Sequence, residues 1–296
     1  MSSALGNALA DGLFAVTTEI SPPKDASPEV VIRLASEVRG WAHAVNITDN
    51  PGGKVRMSSL AGSVLAMRAG AEPVMQLTCR DRNRLALQSD LLAASALGVP
   101  NVLLMTGDQP SEGATPVFDL DGMKLIAAAR AMRDQAVLMS GQEMPQPPSW
   151  LIGTVENPFG GAPEVRAQRL ADKVAAGAEF AQTQYVFDID AFAIWMDRVR
   201  DLGLTGQCGV LAGVGPLRSP RMLEFLRTEV PGVDVPDDVV RRLRGVPPDR
   251  FAREGEDLCV ETIRRLREIP GVAGIHLMAP ATVAGGIAER AVRRVS

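Results

Sequence analysis

Phe14-Ala15-Val16-Thr17-Thr18-Glu19-Ile20-Ser21-Pro22-Pro23 is the stretch on which the fold turns. Residues 14–20 read as a buried strand that runs into a rigid loop. Two consecutive prolines cannot continue a sheet, because each lacks an N–H and fixes φ. The strand therefore stops within a residue or two of Glu19. A carboxylate at the end of an apolar strand is costly unless it faces a polar cavity. In chains that alternate strands and helices, ligands sit at that end. Glu19 is the first candidate for a chemical role; a rim carboxylate paired with an arginine is the other reading.

The same pattern recurs outward from this stretch. Over residues 28–41, helical spacing puts Val31, Leu34, Ala35 and Val38 on one face. Further strands are expected at 44–47, 72–79, 101–105, 150–155, 179–186, 208–212 and 274–278. Helices are expected at 58–69, 83–97, 123–132, 164–176, 191–202, 221–228, 256–268 and 287–295. A Pro/Asp-rich segment at 235–250 adds a short extra helix. Short apolar strands alternating with longer helices demand a parallel sheet. Eight such units in 296 residues favour a closed (β/α)8 TIM barrel, with residues 1–296 as one catalytic domain carrying extra loop and helix insertions. No G-x-G-x-x-G follows the first strand, which argues against a dinucleotide-binding open sheet.

Composition narrows the partners. The net charge is −4 and no basic block is present, so neither nucleic acid nor an anionic membrane surface is indicated. Residues 1–11 are short and polar-small, unlike a signal peptide, and no apolar run reaches membrane-spanning length. Cys79, Cys208 and Cys259 are scattered, as suits a reducing cytoplasm. His43 and His276 are isolated in the sequence, and no protein-held metal is expected.

In a barrel of this kind the strand ends converge on one mouth. Glu19, Thr48, Gln76, Asp108, Asn157, Gln184 and Pro216 all fall at or just beyond those ends. No lysine stands at a strand end for Schiff-base work, and no histidine set stands there for metal-assisted hydrolysis. The polar ring suits an organic cofactor that carries the hard step, with carboxylates for proton transfer and cation stabilisation. Gly107 allows close backbone approach to a flat ring or a phosphate. Asp108 places a negative charge beside it. The Gln184 amide can donate and accept, as the edge of a heterocycle requires. Tyr185, the one tyrosine, is expected to pack on the opposite face.

Five motifs, taken in order, carry a resemblance. Thr18-Glu19-Ile20-Ser21-Pro22-Pro23, Val45-Asn46-Ile47-Thr48, Gln76-Leu77-Thr78-Cys79, Thr106-Gly107-Asp108 and Ala181-Gln182-Thr183-Gln184 resemble those of the methylenetetrahydrofolate reductase family, in its bacterial catalytic-barrel form. Lys173-Val174-Ala175-Ala176-Gly177-Ala178 fits the same pattern. The resemblance implies FAD at the barrel mouth and ping-pong hydride transfer. NADH or NADPH reduces the flavin, which then reduces 5,10-methylenetetrahydrofolate to 5-methyltetrahydrofolate, a step of one-carbon metabolism that leads to methionine. Glu19 matches the general acid, which protonates N10 and opens the ring to a 5-iminium cation; burial is expected to keep its proton in place. Asp108 matches the aspartate that favours the cation and tunes the flavin, and Gln184 the glutamine that binds the pterin.

Thr48, Gln76, Met105, Thr106 and Gly107 match flavin contacts, and Phe118 and Asp119 fall on the loop that covers the flavin. Asn157 stands in the loop after strand five, where many members carry tyrosine and histidine. Lys173 matches a basic residue near the cofactor phosphates. The family often has His where Gln76 stands. The resemblance also implies a tetrahydrofolate substrate, a homo-oligomer, and in some relatives a second redox or methyltransferase subunit. Two other readings stand beside it. One is a flavin-free reductase that passes hydride directly to a methylene-tetrahydropterin. The other is a non-catalytic folate- or flavin-binding partner of a methyltransferase system.

Overall fold

Strands β1 (Ala15–Ile20), β2 (Ala44–Ile47), β3 (Pro73–Thr78), β4 (Asn101–Met105), β5 (Leu151–Glu156), β6 (Phe180–Tyr185), β7 (Gly209–Val214) and β8 (Val272–Leu277) pair in chain order, all parallel. β8 returns to β1, with Thr17 opposite His276, and closes the expected barrel. The computed structural model describes residues 3–110, 114–230 and 232–292. The helices are α1 (Ala4–Ala10), α2 (Pro28–Val38), α3 (Ser59–Arg68), α4 (Arg84–Ala96), α5 (Gly122–Asp134), α6 (Pro163–Ala176), α7 (Ile189–Asp201), α8 (Pro220–Thr228), α9 (Asp237–Arg244), α10 (Phe251–Glu268) and α11 (Ala281–Val292).

Two layers of apolar side chains hold this arrangement. Outside the barrel, Phe192, Trp195 and Met196 of α7 share one apolar layer with Ile275 and Leu277 of β8, and Leu87 and Leu91 of α4 share another with Met75 and Leu77 of β3. Inside, Ala15, Ala44, Val74, Leu103, Phe180 and Leu211 fill the lower end. The Phe180 ring fits there because Gly153 on the next strand has no side chain; a Cβ would lie 2.1 Å from the ring.

Three segments depart from the sequence reading. Residues 1–11 gave no expected element, yet α1 lies across the bottom of the barrel with Leu5 and Ala8 buried among the interior side chains. Ser3 Oγ accepts the Gly6 N–H at 2.7 Å, and the Glu72 carboxylate accepts the N–H groups of Ala4 and Leu5 at 2.5 and 3.1 Å. α10 starts at Phe251 rather than 256, running straight through Gly255, where a Cβ would meet the Leu217 carbonyl oxygen at 1.9 Å. α11 starts at Ala281 rather than 287; the end of its expected range, 293–295, lies outside the described residues. Among those residues no helix is long and apolar enough to cross a membrane.

All three cysteines are buried and unpaired. Burial pushes each thiol up to about 12. Because the thiolate is the reactive form, the native protein at pH 8 is expected to show no fast reaction with a disulfide reagent, and three equivalents once unfolded. A fast native equivalent would mean that one of the three packing environments is wrong.

Candidate active site

Each strand delivers its last residues to one end of the barrel, and there the ends of β1 to β5 surround a cavity of about 610 Å³. That size suits a small organic ligand. Glu19, Thr48, Gln76, Met105, Thr106, Gly107, Asp108 and Lys173 all line it, so eight of the residues singled out from the sequence converge in space. Glu19 is not buried as expected: its side chain is 34% exposed, and its Oε2 lies 3.8 Å from His276 Nε2. Thr48 is buried and donates from Oγ1 to Ser21 Oγ at 3.1 Å. Thr106 Oγ1 accepts the Gly122 N–H at 2.9 Å, which ties the end of β4 to the start of α5.

Gly107 adopts φ +88°, and a Cβ there would approach Thr78 Cβ to 3.0 Å and Arg80 Cβ to 3.3 Å. Only glycine keeps this wall open without strain. Lys173 Nζ donates to the carboxylate of buried Glu156 and to the Val155 carbonyl, each at 2.6 Å. The ammonium is thereby aimed along the end of β5 beside Arg169, which also lines the cavity.

The remaining expected residues lie outside this lining. Phe118, at φ +41°, packs on the apolar layer between β3, β4 and α5. Asp119 clamps Arg84 with both oxygens at 2.8 Å and accepts its N–H; the guanidinium holds this carboxyl well below the usual range. Asn157 forms a tight turn, its Oδ1 accepting the Phe159 N–H at 2.9 Å. Gln184 is half-buried, with Oε1 accepting the Tyr185 N–H at 3.0 Å. Tyr185 packs as expected, stacked on Phe187, but it also feels the mouth: burial, then the charge of Glu19, pushes its phenol up.

Sequence reasoning missed a charged wall built by the loops after β2 and β3. Asp49, buried, accepts the Thr78 N–H at 3.0 Å and the Thr78 hydroxyl at 2.9 Å, and grips Arg82 through both oxygens at 2.7 and 3.1 Å. Arg80, also buried, is held by Asp81 at 2.7 and 2.8 Å and donates to the Asn50 carbonyl at 3.0 Å. The hydrogen bond to Asp81, with the charges of Asp49 and Asp108 adding to it, keeps Arg80 firmly protonated. The signal was present as Arg80-Asp81-Arg82 directly after Thr78-Cys79, but its partner Asp49 lies in another loop.

The family model for methylenetetrahydrofolate reductase matches residues 4–282. The chain belongs to the methylenetetrahydrofolate reductase family. Within that family, it is 24% identical over 273 residues to a probable methylenetetrahydrofolate reductase (NADPH) of Caenorhabditis elegans, covering 88% of this chain but 39% of the worm protein. It is 23% identical to the 5,10-methylenetetrahydrofolate reductase of Pectobacterium carotovorum, covering 92% of this chain and 88% of the relative. The chain thus spans about two fifths of the worm relative and most of the bacterial one. A structure from Clostridium thermocellum, described as binding two copies of 5-methyl-5,6,7,8-tetrahydrofolic acid, shares the fold with a TM-score of 0.69 at 14% identity over 98% of this chain and 100% of that one.

The cavity fits the flavin associated with this family. Gly107 leaves a wall that a Cβ would fill, Gln76 offers donor and acceptor atoms to a heterocycle, and Arg169 and Lys173 offer cations to phosphate groups.

Proposed function

We propose that the chain reduces 5,10-methylenetetrahydrofolate to 5-methyltetrahydrofolate, with FAD at the barrel mouth and NADH or NADPH as electron source. The observation that carries this reading is the convergence of two carboxylates, Glu19 from β1 and Asp108 beyond β4, on one cavity with an open glycine wall. The names of the relatives, which include NADH and NADPH enzymes, support it. So does the folate bound by the Clostridium thermocellum protein.

A methylene bridge between two nitrogens opens by protonation, not by nucleophilic attack. Glu19 gives that proton to N10. Asp108, exposed at the cavity mouth beyond β4, offers the resulting cation a negative charge, which favours its formation. Gln184 lies at the end of β6 next to Tyr185, and its amide nitrogen, which makes no hydrogen bond among the described residues, is the group offered to the pterin. Thr48, Gln76 and Met105 to Gly107 hold the flat ring, and Lys173 and Arg169 the phosphates. When bound, the flavin supplies the two-electron hydride chemistry between nicotinamide and folate.

The first test is a visible spectrum of the purified protein, followed by NADH and NADPH added separately without oxygen. Flavin bands that bleach with one donor are expected. A protein that stays colourless and inactive after added FAD would sink the reading. Asp108→Asn is expected to slow folate reduction by ~10- to 100-fold, and flavin reduction much less, since only the first develops the cation. Equal effects on the two half-reactions, read by stopped flow, would count against the role of Asp108.

A further inference from the structure

We propose that His276 is the positioning residue that keeps Glu19 supplied with its proton. This deepens the proposed function and rests on Glu19 being the acid. Glu19 is one-third exposed at the cavity mouth, and as the acid it must regain a proton after each turnover. An imidazole, by contrast, exchanges protons in the ordinary physiological range. His276 is buried on β8, with its Nε2 facing Glu19 Oε2 at 3.8 Å.

The other ring nitrogen is fixed by a chain of hydrogen bonds across the barrel. Nδ1 lies 3.0 Å from Thr17 Oγ1. Thr17 Oγ1 donates its one hydrogen to the Ile275 carbonyl at 3.3 Å and accepts from Gln182 Nε2 at 3.2 Å. Gln182 is in turn locked to Asn46 by two hydrogen bonds, at 2.6 and 3.1 Å. In this proposal Thr17 keeps that hydrogen on the carbonyl and accepts from Nδ1–H, which leaves Nε2 to exchange with Glu19.

Among the described residues, the surrounding elements offer no rival. Tyr185 of β6 and Cys259 of α10 are both held neutral by burial, and Gln182 and Asn46 carry amides. Glu19 is the charged group against the ring.

The protons balance simply. The Glu19 O–H bond breaks as N10–H forms. The Nε2–H bond of the imidazolium then breaks as the Glu19 Oε2–H bond reforms, leaving a neutral ring protonated on Nδ1. No electrons change hands. The 3.8 Å gap closes on substrate binding or is bridged by one water.

Two histidines make the test direct. His43 Nδ1 accepts the Val16 N–H, so its proton is on Nε2, and it serves as the opposite-tautomer reference. Imidazole nitrogen NMR of the whole protein, with His43→Asn for assignment, is expected to find His276 protonated on Nδ1 and its signals altered by Glu19→Gln. In kinetics, His276→Gln is expected to slow folate reduction by ~10- to 100-fold at pH 8 and above, and less at pH 6, where proton delivery from solvent is faster. A loss of equal size at every pH would assign His276 to packing alone and overturn the proposal. If His276→Gln does not fold, His276 signals that ignore Glu19→Gln overturn it on their own. Full turnover by Glu19→Gln would instead reject the acid role itself, a distinct failure.

Discussion

Glu19→Gln is expected to lower folate reduction by ~10²- to 10⁴-fold, the usual worth of a general acid. Reduction of the flavin by nicotinamide should persist at about its normal rate, because that half-reaction breaks no C–N bond. The substitution is nearly isosteric. It keeps an oxygen toward the mouth and removes only the transferable proton, so a packing explanation is weak from the start. Separate stopped-flow traces for the two half-reactions decide the matter. Loss of both in proportion would point to a damaged cavity, and loss of neither would remove Glu19 from the chemistry.

Asp49→Ala should be the most damaging change to the fold around the site. The side chain of Asp49 is fully buried, and four hydrogen bonds end on it, from Thr78 N–H, Thr78 Oγ1 and the two Arg82 nitrogens. Removing it leaves the buried Thr78 N–H and hydroxyl without their acceptor and strips a half-buried guanidinium of one of its two carboxylates. Breaking a buried ion pair from one side typically costs about 3–5 kcal/mol. Arg82 retains Asp90 at 2.9 Å, which moderates the loss. Asp49→Asn keeps an acceptor for Thr78 but not the charge, and should fall between. The check is the midpoint of urea unfolding at unchanged slope; an Asp49→Ala protein as stable as its parent would refute the argument.

The barrel was legible because its strands are short apolar runs bounded by Gly, Pro and acid, a signal that needs no tertiary information. Both ends of β2 and β4 agree with the sequence reading, since Thr48-Asp49-Asn50-Pro51 and Thr106-Gly107-Asp108 are strong punctuation. α10 begins at Phe251, ahead of the range expected from the sequence, and it runs through Gly255 because Leu217, which lies in another loop, approaches there too closely for a side chain. α11 begins at Ala281; Gly285 and Gly286 dilute its periodicity, although Ala284, Ile287 and Ala288 share the buried face. The site divides the same way. Residues at strand ends could be listed from the sequence, but the pairing of Glu19 with His276, or Asp49 with Arg82, follows only when β1 meets β8 and two loops meet over β3. Phe118 and Asp119 show the reverse limit. Adjacent to the right loop, they are spent on packing and on the α4 terminus.

The helix beneath the barrel has a consequence for how the molecule assembles. α1 has seven residues, too few to hold helical structure unaided in water. Its seat is made by Ala15, Ala44, Val74, Leu103, Phe180 and Leu211, contributed by β1, β2, β3, β4, β6 and β7. That seat does not exist until most of the strands have paired. α1 therefore precedes its own docking site in the chain and follows it in time, like a stopper fitted after the vessel is formed. Its contacts reach far along the sequence, which makes its docking slow relative to the local helix–strand units. Until it docks, the lower interior stays wet and the ring of strands can still breathe.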